Sequence, residues 1–345
     1  MSVFQTPDFD QHELVAYCVD ESVGLKAIIA IHNTNRGPAL GGCRIWHYAN
    51  EDEATRDALR LSRGMTYKNA LANLNLGGGK AVIISDPKMP KSPEMLQAFG
   101  RFVERFNGSY ITAEDVGTSP QDMAEVRKAT SHVVGLESSG GSGDPSILTA
   151  YGVYQGIKGC AFHRYGTDSL NGIKVAIQGL GHVGMYLVER LHKEGAILTV
   201  TDINLANINK VVEKYGATAV NPEEIYDVDC NIFSPCALGG IINDETIPRL
   251  KCQIIAGASN NQLLNRSHGN VLMQKGILYA PDYLINAGGV INVSYEGPNY
   301  DREVVMTHVA GIRDTLLEIL QTAEEQKIST NAASDQIAEN RFKLG

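Results

Sequence analysis

The sequence predicts an α/β protein of two domains, an N-terminal α/β domain on a mixed sheet followed by a domain with a doubly wound parallel sheet, with a cleft between them. Three observations predict this. The chain has 345 residues, enough for two separate cores. From Lys174 onward, short apolar strands alternate with helical segments, the pattern of βαβ units. Ser138-Ser139-Gly140-Gly141-Ser142-Gly143 is the most flexible-looking stretch and reads as a hinge. The expected division is 1–136 and 137–324, with a C-terminal helix over about 325–345 packing back on the first domain.

In the first domain Leu25–Ile31 has strand length and is apolar. Residues 52–69 read as a helix, with Ala54, Ala58, Leu61 and Met65 at helical spacing. Lys80–Ser85 reads as a buried strand. Ser92-Pro93 caps a helix whose stripe is Met95, Leu96, Phe99, Phe102, Val103 and Phe106. Tyr110–Thr112 is a short strand, and Ser119-Pro120 opens a helix with Asp122 in capping-box position. In the second domain the expected strands are Lys174–Gln178, Ile197–Thr201, Cys230–Phe233 and Cys252–Ala256. One long helix is expected from Asp301 through Leu320.

Composition narrows the function. Hydrophobic residues are 43% and charged residues 20%, a globular mix. The net charge of −9 and the lack of a basic run argue against a nucleic-acid partner and leave a small molecule. The six cysteines form no CxxC and have no His at metal-ligand spacing, so no metal site is expected and free thiols in a reducing compartment are. The N-terminal MSVFQTPDFDQHELV lacks a signal-peptide core, and no stretch approaches a membrane span, so a cytoplasmic location is expected.

Gly179-Leu180-Gly181-His182-Val183-Gly184 is a GxGxxG string that ends a strand and opens a helix, and Asp202 ends the next strand. Together these form the dinucleotide fingerprint of a Rossmann-type domain. The glycines admit a pyrophosphate to the backbone, and the helix N-terminus offers amide donors. Asp202 suits the adenosine ribose hydroxyls and repels a 2′-phosphate, so NAD is expected rather than NADP.

Lys68 follows Leu61 and Met65 on the helix's apolar face. Its ordinary reading is a helix-end lysine reaching for water. Lys80 follows Gly77-Gly78-Gly79, which let backbone or ligand come close. A lysine held beside another and away from water can act as acid–base; otherwise Lys80 is an edge-strand charge. Asp115 follows a strand in Thr112-Ala113-Glu114-Asp115 and reads equally as a helix cap.

Longer strings narrow these alternatives. Pro38-Ala39-Leu40-Gly41-Gly42, Arg60–Lys68, Gly77–Lys80, Thr112–Asp115, Gly257–Gln262, Ala280–Tyr283 and Asn286–Gly289 resemble the glutamate/leucine/phenylalanine/valine dehydrogenases nearly end to end, and most of all the leucine type. The resemblance implies an enzyme with NAD as cofactor, a first domain for substrate and oligomerisation, and a second for nucleotide. It implies that Lys68 binds the substrate α-carboxylate, Lys80 activates the attacking water and Asp115 shuttles protons to and from the amino group. It puts Asn261 between substrate and cofactor, and Thr149 near the nicotinamide. Gly41 joins the substrate-binding set; Gly179, Gly181, His182, Val183, Gly184, Asp202, Cys236, Ala237 and Asn260 join the cofactor set.

Glutamate members carry a lysine at the Leu40 position. Leu40 therefore disfavours an acidic substrate, and Ala113, Val290 and Val293 are implied around the same apolar pocket. The expected reaction is reversible deamination of leucine, valine or isoleucine. His182, Gly184 and the Gly143–Ser146 segment look more like aromatic-type members, so a phenylalanine-type substrate is the alternative. A hydroxy-acid dehydrogenase and a non-catalytic NAD-binding protein are the rival classes. A homo-oligomer is expected; leucine-type members have a longer tail that helps build octamers, so the end at Gly345 favours a dimer and leaves an octamer open.

Overall fold

A computed structural model describes residues 3–86, 91–136 and 143–343. The hinge expected over 138–143 lies outside the described residues except for Gly143. The chain divides into two compact units: Met1–Gly143 with Val293–Tyr300 and Ala338–Gly345, and Asp144–Asn292 with Asp301–Ile337.

The first unit holds β1 (Leu14–Asp20), β2 (Leu25–Asn33), β3 (Ala39–Trp46), α1 (Glu51–Leu71), β4 (Gly77–Ile84), α2 (Pro93–Glu104), β5 (Tyr110–Glu114) and α3 (Pro120–Arg127). Its sheet has the order β1-β2-β4-β3-β5. It is mixed: β1–β2 and β2–β4 are antiparallel, β4–β3 and β3–β5 parallel. α2 covers one face through Met95, Leu96 and Phe99 against Ile29, Cys43, Ala81 and Tyr110. α1 covers the other through Ala54, Ala58 and Leu59 against Ile28, Ala30 and Val82. Asn50 caps α1 by accepting from Glu53 N, and three acids in the first turn complement the helix dipole. Leu61, Met65 and Lys68 are only half-buried, so Lys68 sits at the border of the buried face and not on its midline.

Two strands of this sheet, β1 and β3, are not among those expected from the sequence. β1 alternates only weakly, and β3 contains Gly41-Gly42, residues of low strand propensity. Packing requires both glycines. A Cβ at Gly41 would lie 1.7 Å from Gly79 O, and one at Gly42 would lie 2.4 Å from Glu114 O.

The second unit opens with α4 (Pro145–Tyr165) and continues through β6 (Lys174–Gln178), α5 (His182–Lys193), β7 (Ile197–Thr201), α6 (Leu205–Tyr215), β8 (Thr218–Ala219), β9 (Ile232–Pro235), β10 (Ile254–Ile255), α7 (His268–Gln274), β11 (Leu278–Tyr279), α8 (Asp282–Ile285) and most of α9 (Gly288–Ser294), whose last two residues, Val293 and Ser294, belong to the first unit. The sheet β11-β10-β9-β6-β7-β8 is parallel throughout, as a doubly wound sheet requires. β6 and β7 match the expected ranges; β9 is shifted toward Pro235 and β10 is shorter than expected. The helix expected from Asp301 is two helices, α10 (Arg302–Ala310) and α11 (Ile312–Gln326), parted at Gly311. Glycine is a weak helix former, and there the ladder loosens, with Gly311 N donating to both Thr307 O and His308 O. The final helix α12 (Thr330–Lys343) begins after Lys327, which caps α11 in the left-handed conformation.

Candidate active site

The register of the first sheet determines what shares a face. Leu40 pairs with Gly78 and Ile111, and Gly42 with Ala113. Side chains alternate along strands, so Leu40, Gly42, Arg44, Gly78, Lys80 and Ala113 lie on one face. Leu40 is buried and Ala113 half-buried.

Lys80 is not an edge charge, because β4 lies between β2 and β3. It is 5% exposed, and its Nζ lies 2.9 Å from Asp115 Oδ2. Asp115 is not a helix cap either. Ser119 caps α3 in a complete capping box with Asp122, while the Asp115 carboxylate takes Lys80 and, at 2.9 Å, Arg44 Nε. Burial opposes ionisation of Asp115, but Lys80 first and Arg44 next outweigh it and hold the carboxyl below its usual range. The amide of Asp115 donates to Thr118 Oγ1 at 2.8 Å, and that hydroxyl donates to Cys43 O, which ties the turn after β5 to β3.

The three glycines before Lys80 admit protein. Added Cβ atoms would meet Asn33 O at Gly77, Thr66 at Gly78 and the Tyr110 ring at Gly79. Asn69 Nδ2 donates to Gly77 O at 2.6 Å. Thr66 and Asn69 bracket Lys68, so the Lys68 turn of α1 is held on the strand that bears Lys80. Tyr110 OH donates to Gly41 O at 2.7 Å, the main-chain group next to Leu40.

Arg44, Asp57 and Tyr48 escaped the sequence reading. Arg44 Nη1 reaches Asp57 Oδ2 at 3.0 Å, and Tyr48 OH donates to the same oxygen at 2.8 Å. Alternation from Leu40, together with the register of β3 on β4, puts Arg44 on the same face as Lys80, a signal that exists only once β3 is known to be a strand.

In the second unit β6 ends at Gln178, and Gly179 turns the chain at φ 101°. A Cβ there would lie 2.8 Å from the Ala237 Cβ and 2.9 Å from Cys236 C, so only glycine lets these loops meet. At Gly184 it would lie 2.1 Å from Gly179 O. Among the described residues nothing beyond its own chain neighbours lies within 4 Å of the position of a Gly181 Cβ, and Gly181 N-caps α5 without a side-chain hydrogen bond. Gly181 and His182 are exposed and Val183 half-buried. This is a cradle fitted to an anionic group at a helix N-terminus. Asp202 accepts from Leu180 N and, at 2.7 Å, from Asn204 N, while Asn207 Nδ2 donates to Leu180 O at 3.0 Å.

The remaining expected positions fall as follows. Cys236 is half-buried and Ala237 exposed beside Gly179. Asn260 and Asn261 are exposed on the loop after β10. Asn286 Nδ2 holds Asn260 Oδ1 at 2.8 Å, Asn261 has φ 53°, and Gln262, buried behind them, donates to Gly257 O and Ser259 O. Thr149 donates to Pro145 O on α4, and its hydroxyl would lie 2.8 Å from a Cβ at Gly289. Val290 and Val293, three apart on α9, are half-buried.

Comparison with known proteins gives two adjoining family matches: Glu/Leu/Phe/Val dehydrogenase, dimerisation domain, over residues 13–132, and Glutamate/Leucine/Phenylalanine/Valine dehydrogenase over 140–341. The chain is 54% identical to a leucine dehydrogenase of Thermoactinomyces intermedius, over 100% of this chain and 94% of that one. It is 50% identical to a phenylalanine dehydrogenase of Caldalkalibacillus thermarum, over 99% and 94%. The crystal structure of L-tryptophan dehydrogenase from Nostoc punctiforme superposes with a TM-score of 0.87 at 48% identity, covering 97% of this chain and 96% of that one.

Proposed function

The chain belongs to the glutamate/leucine/phenylalanine/valine dehydrogenase family, and from that premise we propose that it interconverts an apolar L-amino acid (leucine, valine or isoleucine) with its 2-oxo acid and ammonium, using NAD. The observation that carries the reading is Leu40 buried on the same sheet face as Lys80 and Ala113, beside the Lys80–Asp115 pair. A substrate carboxylate on the side chain would be buried against Leu40 without a partner.

In the first unit Lys68 takes the α-carboxylate, with Gly41, Leu40, Ala113 and Val293 around the substrate. Asp115 accepts a proton from the substrate ammonium, so the nitrogen lone pair becomes available. Once Cα has lost its hydride, Lys80 takes a proton from the water that adds to the iminium carbon. In the second unit Asn261 and Val290 are assigned to substrate. Gly179, Gly181, Gly184 and the start of α5 at His182 and Val183 hold the pyrophosphate, Asp202 the ribose, and Thr149, Cys236, Ala237 and Asn260 the rest of the dinucleotide. Bound NAD supplies the hydride acceptor.

The family match described as a dimerisation domain covers β1, an edge strand with Tyr17 and Val19 more than half exposed. We propose a homo-oligomer built from dimers, with an octamer as the larger alternative, and a cytoplasmic location in keeping with six free thiols. Among the described residues no helix is long and apolar enough to cross a membrane. The similarity to phenylalanine and tryptophan dehydrogenases favours an aromatic substrate as the second reading.

The test is oxidation of NADH and of NADPH with 4-methyl-2-oxopentanoate, with and without ammonium. Ammonium-dependent oxidation of NADH, but little of NADPH, is expected. Ammonium-independent reduction of the keto acid would assign the chain to hydroxy-acid chemistry instead.

A further inference from the structure

Asp115 presents its two oxygens unequally. Oδ2 lies 2.9 Å from both Lys80 Nζ and Arg44 Nε. Oδ1 has no hydrogen bond to the described residues. Arg44 is itself held as a fork. Its Nη1 is bound to Asp57 Oδ2, where Tyr48 OH also donates, and Asp57 Oδ1 takes Arg60 Nη2 at 2.9 Å. This anchorage runs from β3 to α1 and is half-buried or deeper at Arg44, Asp57 and Tyr48.

We propose that Arg44 is a positioning residue for the reaction: by pinning Oδ2 of Asp115, it leaves Oδ1 as the oxygen that exchanges the proton with the substrate's amino group. The proposal rests on the reading of Asp115 as proton carrier. In the forward direction an N–H bond of the substrate ammonium breaks, its electron pair stays on nitrogen, and the proton forms an O–H bond at Oδ1. Lys80 cannot do the pinning alone, since it must itself exchange protons with water in the same cycle. Arg44 keeps its charge throughout. A planar guanidinium can serve Asp115 and Asp57 at once, whereas an ammonium cannot keep both contacts with the same geometry.

The charged and titratable groups around Asp115 are few. Lys80 comes from β4, Arg44 and Cys43 from β3, Tyr110 from β5, and Asp57 of α1 and Tyr48 stand behind Arg44, with Asp122 of α3 farther along. Lys80 and Arg44 are the two groups that favour the ionised form of Asp115. Without Arg44, a proton on Asp115 is easier to gain and the productive oxygen is no longer singled out.

Oxidation of L-leucine by NAD, followed across pH, tests this with three purified full-length variants. Arg44→Met is expected to lower kcat about tenfold and to move the acid limb of kcat/KM up by about one pH unit, the scale of losing one adjacent opposite charge. Arg44→Lys is expected to return the acid limb to its unmodified position while kcat stays about tenfold low. An Arg44→Met enzyme with an unmoved acid limb overturns the proposal. If Arg44→Met does not fold, Arg44→Lys decides alone, and an Arg44→Lys enzyme with full kcat overturns it. Asp115→Asn separates the two levels. If it stays fully active, the reading of Asp115 falls and this proposal with it. If it is inactive while Arg44→Met has an unmoved limb, only the role of Arg44 falls.

Discussion

Lys80 Nζ and Asp115 Oδ2 lie 2.9 Å apart, although β4 and β5 are not neighbours; both flank β3. The strand between them is narrow because it is glycine at 41 and 42, where a Cβ would meet Gly79 O or Glu114 O. The Lys80–Asp115 contact and the glycines at 41 and 42 are therefore one arrangement.

Removing the amine should stop the chemistry and spare the nucleotide unit. Lys80→Ala is expected to lower kcat by roughly a hundredfold or more, the scale of losing an acid–base group. NAD binding, followed by fluorescence titration, should stay nearly unchanged. A mutant with near-normal turnover removes Lys80 from the mechanism.

Two glycines of the first unit, Gly41 on β3 and Gly64 in α1, make an opposed pair of stability predictions. Gly41→Ala forces a methyl to within 1.7 Å of Gly79 O, and backbone must shift; a loss of about 1–3 kcal/mol or more is expected. Gly64→Ala, inside α1 with no atom within 4 Å of the new Cβ beyond its chain neighbours and the helix's own backbone, should gain roughly 0.5–1 kcal/mol from helix propensity. Thermal unfolding of both variants checks the contrast. A stabilised Gly41→Ala protein contradicts the close approach of β3 to β4.

Legibility in the sequence follows this division between local and remote causes. β6, the glycine turn, α5 and β7 were readable, because a strand, three glycines and a helix cap act within one βα unit. α1 was readable from its apolar spacing, α2 from the Ser92 cap and its stripe, and α3 from the capping box of Ser119 with Asp122, while the Asn50 cap of α1 emerged only with the structure. β3 was not, since the reason for its glycines lies at Gly79 and Glu114, far along the chain. Arg44 was missed for the same reason: without β3 there is no alternation to put it beside Lys80. The break at Gly311 shows the converse, a local signal hidden under a strong apolar stripe. Lys68 and Lys80 could be singled out, but only the sheet order removes the edge-strand alternative for Lys80.

The cofactor preference should depend on Asp202. Its carboxylate accepts from Leu180 N and Asn204 N and faces the glycine turn. Asp202→Ser is expected to weaken use of NAD, relieve repulsion of a 2′-phosphate, and so narrow the NAD/NADP ratio of kcat/KM. Equal use of both cofactors by the unmodified protein would contradict this assignment.

Two buried imidazoles make the first unit acid-sensitive. His32 and His12 pack edge to face at 4.9 Å, with His32 Nδ1 on Thr66 Oγ1 at 2.8 Å and His12 Nε2 3.0 Å from Leu59 O. Burial first, then the neighbouring imidazole, pushes His32 down from 6.5 to about 4, against the partial help of Asp10; burial also lowers His12. A histidine neutral when folded but protonated when unfolded favours unfolding as pH falls. Its contribution is whole above about pH 6.5 and is lost on descent to about pH 4, on the order of 3 kcal/mol for His32. The depressed carboxylates Asp10, Asp57 and Asp115 act at lower pH, below 3.8. The melting temperature should fall between pH 6.5 and 4, and His32→Gln should flatten that fall. An equal slope in the variant removes His32 as its cause.

The most direct test of the account is kcat/KM for three keto acids with NADH and ammonium, before and after Ala113→Gly. With Leu40 buried and Ala113 on its face, 4-methyl-2-oxopentanoate should exceed 2-oxoglutarate by several orders of magnitude, because an unpaired carboxylate would be buried against leucine. It should exceed phenylpyruvate by less, since shape alone is worth roughly 1–3 kcal/mol. Ala113→Gly should move the ratio toward phenylpyruvate by adding depth. If 2-oxoglutarate matches the branched keto acid, or phenylpyruvate is already the best substrate of the unmodified enzyme, the assignment of a branched aliphatic substrate is wrong.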